Sequence, residues 1–90
     1  MNMTHRIAVN KEVKVTALYF QNKKELKTFP KRMEFEGDTY TFLESGLQYF
    51  IKKGQAITRI FDMTDGNSTF RLRSDNEQSN WTLVAITRSV

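Results

Sequence analysis

Ninety residues with fourteen Lys or Arg, ten Asp or Glu and no cysteine give a chain of net charge +4. That length holds one domain with one modest core, and the lack of cysteine excludes disulfides, thiolate metal sites and a cysteine nucleophile. Met1-Asn2-Met3-Thr4-His5-Arg6-Ile7 is too polar for a signal peptide and no apolar run reaches about 18 residues, so a soluble, cytoplasmic protein without membrane contact is expected.

Residues 1–10, with Ile7 and Val9 as their apolar pair, read as a flexible arm or a short edge strand, and 11–90 as a single β domain. From Glu12 to Phe20 the pattern alternates: Val13, Val15, Ala17 and Tyr19 share one face, and Lys14 and Thr16 the other until Leu18 and Phe20 make it apolar too. A strand half exposed at its start and buried on both sides at its end is expected. Gln21 to Lys31 reads as the one long polar connection, closed by Pro30.

Arg32 to Leu43 reads as a hairpin with Gly37-Asp38 at its tip, in a type II′ turn that pairs Phe35 with Tyr40 and Met33 with Phe42 on a core face. Arg32, Glu34, Glu36, Thr39 and Thr41 then form the wet face. The segment 45–53 admits two readings. As a helix it has a Ser45/Gln48 capping box and a C-terminal Gly54. As a strand it has Gln48-Tyr49-Phe50-Ile51, and the strand is favoured because Gly46 would sit in the first turn of a helix only about two turns long.

A second tip at Asp65-Gly66, as a type I′ turn, sets Phe61 against Phe70, Met63 against Ser68 and Arg59 against Leu72. Phe61, Met63, Phe70 and Leu72 make the core face of this hairpin, and Thr58, Ile60, Thr69, Arg71 and Arg73 the other. After a polar turn at 74–80 the strand Trp81 to Arg88 is apolar on both faces, which calls for cover on two sides from barrel closure or a helix. The fold expected is mainly β: a small antiparallel meander or partly open barrel of SH3-like size, five to seven strands, at most one short helix. The alternative is α+β with a helix at 45–53.

Chemistry-bearing constellations are sparse. His5 is the only histidine and lies near the terminus, and Glu34 and Glu36 fall on a wet hairpin face where burial cannot raise a carboxylate pKa. Asp62 to Asn67 lacks the acidic spacing and terminal glutamate of a calcium loop, and Gly37, Gly46, Gly54 and Gly66 are solitary turn glycines that form no phosphate cradle. No catalytic residue, metal site or cofactor is expected.

Binding has more support. Residues 1–31 hold Arg6, Lys11, Lys14, Lys23, Lys24, Lys27 and Lys31 against only Glu12 and Glu25, a footprint for phosphate or an acidic protein unless these are solubility charges. If Val84 and Ile86 join the core, Trp81 shares a face with Arg71 and Arg73 and can stack a base or seat a partner's anchor; if not, Trp81 is a core plug. The candidate site is therefore Trp81, Arg71, Arg73, Lys23, Lys24, Lys27 and Lys31.

The run Phe29-Pro30-Lys31-Arg32-Met33-Glu34-Phe35-Glu36-Gly37-Asp38-Thr39-Tyr40, followed by Phe70-Arg71-Leu72 and Trp81-Thr82-Leu83, resembles small uncharacterised bacterial β-rich domains of unknown function. The resemblance implies a fold and no activity, and the lysine-rich 23–31 segment departs from it. The function expected is a non-catalytic binding or accessory domain acting through protein–protein interaction. Nucleic-acid binding is the alternative, and a homodimer formed through a sheet edge is a further partner expectation.

Overall fold

The computed structural model describes residues 4–22, 26–75 and 80–89. All elements are strands: β1 (Thr4–Asn22), β2 (Leu26–Phe35), β3 (Asp38–Thr41), β4 (Gly46–Lys53), β5 (Ala56–Thr64), β6 (Ser68–Asp75) and β7 (Trp81–Ser89). They form one antiparallel seven-stranded sheet in the order β3-β2-β1-β7-β6-β5-β4. The mainly β class holds, the sheet does not close, and the segment expected as strand or helix at 45–53 is strand from Gly46 to Lys53, not helix.

The sheet bends over itself because β1 changes partner along its length. Thr4 to Val13 pair with β7, and Lys14 to Asn22 pair with β2. Register shifts interrupt the ladder between Ala8 and Lys11 and again around Ala17, and Asn10 between them takes a φ of +51°. Bulges sharpen the local twist and bend a strand. Residues 4–10, expected as an arm or edge strand, thus form the first part of β1 with a partner on one side only.

Bending brings β2 and β3 over β5 and β6 and builds the core between them. Phe29 meets Phe61 edge-on at 5.8 Å, Tyr40 and Phe42 both meet Phe70, at 5.4 and 5.2 Å, and Phe61 meets Trp81 at 5.3 Å. Val13, Met33, Met63, Leu72 and Leu83 fill the space between these rings, all buried. Each such side chain contributes about 1.5–3 kcal/mol by leaving water. The Tyr19 hydroxyl donates to the Phe42 carbonyl at 2.7 Å and ties β1 to the end of β3.

Both expected hairpins form with their faces as read and their registers two residues away. The first pairs Phe35 with Asp38 and Met33 with Tyr40, so its tip is Glu36-Gly37. Both take positive φ, +50° and +83°, as a two-residue turn twisted to suit its strands requires. In the second, Phe61 faces Leu72 and Met63 faces Phe70. Its loop is held by the Asp65 carboxylate, which accepts the Asn67 and Ser68 N–H groups at 2.9 Å each, with Gly66 at φ +101°. Asp65 thus anchors the loop from outside the tip, and a slip of two leaves every side chain on its face.

Three further expectations are corrected. The end of β1 is not buried on both sides, since Leu18 and Phe20 are exposed. The polar connection is shorter than 21–31, because β2 begins at Leu26 and carries Pro30, which lies opposite Leu18 beyond the end of β3. There β2 has a single partner strand, a position a proline tolerates. No helix covers β7 among the described residues. Its Trp81, Leu83 and Ala85 are buried in a central strand, and Val84 and Ile86 are half-buried.

Gly46 is required by close approach. A Cβ there would collide with the Sδ of Met63, a side chain with no exposed surface and no room to retreat. Gly46→Ala is expected to destabilise the fold by about 1–3 kcal/mol, read as a lowered urea midpoint. The loss should shrink in a Met63→Val background, where the side chain ends at Cγ and no atom takes the place of the clashing Sδ.

Candidate interaction surface

The two edges of the sheet differ sharply. β3 is four residues long with Asp38, Thr39 and Thr41 exposed. β4 is eight residues long, pairs only with β5 among the described residues, and exposes Leu47 at 60%, Tyr49 at 43%, Phe50 at 63% and Ile51 at 47%. Ile57 on β5 and Leu43, just ahead of β4, extend the exposed apolar surface. Edge strands of soluble proteins are usually short, charged or kinked, and β4 carries charge only at its end, in Lys52 and Lys53.

Register explains the exposure. Leu47, Tyr49 and Ile51 lie opposite Asp62, Ile60 and Thr58 and project from the outer face of the sheet. Gln48 and Phe50 lie opposite Phe61 and Arg59 on the core side, but β2 and β3 reach only as far as β5 and leave Phe50 uncovered. Arg59 lays its guanidinium over the Phe61 ring at 5.6 Å and closes that end of the core.

On the outer face Arg6, Lys53, Arg71 and Arg73 surround a depression of about 440 Å³ floored by Ile51, Ile60 and Val84. Two of these cations are engaged. Arg71 Nε and Nη2 donate to the two Asp62 oxygens at 2.8 and 2.9 Å, a bidentate pair across β5 and β6. Arg73 Nε donates to Asp75 at 3.3 Å in a pair well exposed on both sides. The hydrogen bond from Arg71 holds the Asp62 carboxyl below its ordinary value of 3.8 against the opposing effect of burial. The Arg71 charge, the Tyr49 hydroxyl and Arg6 add to the lowering.

A second depression, about 830 Å³, lies where β1 meets the β2–β3 hairpin, with Val13, Val15, Phe35 and Trp81 in its lining. Its lining sets Lys11 and Lys14 against Glu12, Glu34 and Glu36, a mixed set with one negative charge in excess and no cationic cluster.

The sequence-derived site is divided by the fold. Trp81 is 8% exposed, packs on Phe61 in the core, and stands on the opposite face of the sheet from Arg71 and Arg73. A bulge between Arg71 and Leu72 against β7 resets the faces, so that Leu83 joins Leu72 inside and Val84 joins the arginines outside. Lys31 places its ammonium 5.4 Å from the Tyr19 ring centre, away from that depression. Lys23 and Lys24 lie outside the described residues, and Lys27 is described only as a backbone position opposite Gln21.

Arg6 belongs to the basic footprint of residues 1–31 but not to the candidate site, and Lys53 and the β4 apolar residues belong to neither. The signal available for β4 was its two-sided apolar pattern. Among the described residues no group of three or more His, Asp or Glu could hold a metal ion, and no helix is long and apolar enough to cross a membrane. Comparison with protein-family models, with curated proteins and with solved structures finds no match.

The Asp62–Arg71 pair has a pH signature. Because the Asp62 pKa is lowered on folding, its contribution is complete above the unfolded value and is lost as pH falls through the lowered folded value. Asp62→Asn is therefore expected to cost about 1 kcal/mol or less near neutrality, given the partial exposure of Arg71. The gap to the parent chain should close below pH 3.8 in urea titrations run from pH 2 to 6.

Proposed function

We propose that this chain is a small non-catalytic binding module acting through protein–protein interaction, with β4 as the edge that receives a partner's strand. The observation that carries the reading is the eight-residue unpaired edge with Leu47, Tyr49, Phe50 and Ile51 all exposed. Strand addition supplies main-chain hydrogen bonds for affinity, and side chains alternating on the two faces supply specificity. Large apolar residues gathered on one edge mark an interaction surface more than scattered exposed residues do.

A photo-reactive side chain in place of Leu47 is expected to give a discrete protein adduct in cells, lost on Ile51→Lys, while the same group at Thr39 on β3 gives none. Equal yields at both positions, or no adduct at position 47, would remove the reading.

A second reading, nucleic-acid binding, is favoured by the ring of Arg6, Lys53, Arg71 and Arg73 around an apolar floor. The exposed Arg73–Asp75 pair holds its guanidinium weakly enough to release it. Phosphate binding there predicts oligonucleotide affinity that falls steeply between 50 and 200 mM salt through counterion release. Arg71→Ala and Arg73→Ala should reduce that affinity. Trp81 emission should stay unchanged, because the indole is on the other face.

A further inference from the structure

We propose that the strand completing β4 is the β4 of a second copy of this chain, laid antiparallel about a two-fold axis through Tyr49. This rests on the reading of β4 as an interaction edge and names its partner.

Self-complementarity of the strand carries the argument. In a continuous sheet an antiparallel two-fold keeps each face on its own side, so residues directly opposite must come from the same face. Centred on Tyr49, the pairing sets Tyr49 against Tyr49 and Leu47 against Ile51 of the second copy on the outer face. Every large apolar side chain there meets another. On the core side Phe50 lies opposite Gln48, and the two Phe50 rings become diagonal neighbours, a spacing aromatic side chains can bridge.

Charge selects the same arrangement. Lys52 and Lys53 close the strand, and Glu44, exposed, precedes it by two residues. Antiparallel pairing brings the lysines of each copy alongside Gly46 and toward Glu44 of the other, at both ends of the seam. Parallel pairing would lay lysine beside lysine, which costs stability. A register centred on Phe50 would place Leu47 against Lys53 and leave it poorly covered.

The second copy would also finish a surface that one copy leaves open. Ile51 and Lys53 form the β4 side of the cationic depression. Leu47 of the second copy would extend its apolar floor across the seam. The two depressions would then flank one two-fold axis on a single outer face.

The absence of cysteine allows a direct test. Directly opposite residues of an antiparallel pair have Cα atoms about 4.5–5.5 Å apart, within the about 4.4–6.8 Å a disulfide spans. Tyr49→Cys should oxidise rapidly to a covalent dimer. Leu47→Cys alone should not, because its own copy lies about 13 Å away along the strand. Mixing Leu47→Cys with Ile51→Cys should give the heterodimer selectively.

The parent chain should sediment as a concentration-dependent dimer, and Ile51→Lys should weaken association about tenfold or more by setting a charge in the apolar seam. Its unfolding midpoint serves as the folding control. Rapid oxidation of Leu47→Cys alone, or a strict monomer at every concentration, would overturn the proposal. A strict monomer that still gives an adduct with another protein from position 47 would overturn self-pairing and leave the interaction-edge reading intact. A strict monomer with no such adduct would overturn both.

Discussion

The divided pairing of β1 is the constraint on which the rest depends. A strand of nineteen residues cannot serve one flat neighbour along its length in so small a domain. Here its first half belongs to β7 and its second to β2, with the ladder interrupted on both sides of the change. Asn10 is the residue that takes the left-handed conformation where the chain turns, and asparagine is among the few non-glycine residues that visit that region readily. Without the bend, β2 and β3 would continue the plane of the sheet. Phe29, Met33 and Phe42 would then have no layer to meet. With it, one sheet acts as two packed layers and buries a common core.

The same bend determines where cover ends. β2 lies over β5, and the segment after β3 is pinned to the end of β5 by the Leu43 N–H donating to the Thr64 carbonyl at 2.8 Å. One strand further out, no strand of the upper layer packs on β4 among the described residues, and Met63 of β5 approaches Gly46 at its beginning. The exposure of Phe50 on the core side therefore follows from topology. With β1 shared between them, the upper layer has three strands, one of them only four residues long, and the lower layer has five.

Much of this was legible in the residues. Alternation gave the faces of both hairpins, and glycine with acidic neighbours placed their turns. The registers were missed by two residues because a turn is anchored by more than its glycine. Glu36 accepts a positive φ, and Asp65 acts from outside the tip as a carboxylate that gathers two N–H groups. Trp81 and the two arginines were separated by a bulge opposite Leu72 that no local pattern announces. Bulges depend on how two strands fit each other, which single-strand periodicity does not encode.

β4 and β7 show most clearly where the sequence stops speaking. Leu47-Gln48-Tyr49-Phe50-Ile51 and Trp81-Thr82-Leu83-Val84-Ala85-Ile86 are both apolar on two faces, and by pattern both ask to be covered. Position in the sheet gives them opposite fates. β7 stands between β1 and β6 with its inner residues buried, whereas β4 stands last in the order with its large side chains in water. A pattern reports what a strand requires, and topology determines whether its own chain supplies it. For β7 the fold meets most of that requirement internally. For β4 it does not, and composition offers no rescue, since the only charges on the strand are two lysines at its far end. The opposite edge, four residues of Asp-Thr-Tyr-Thr, shows that the same chain can build a blunt edge. Of the two end strands, one is therefore short and polar and the other long and apolar.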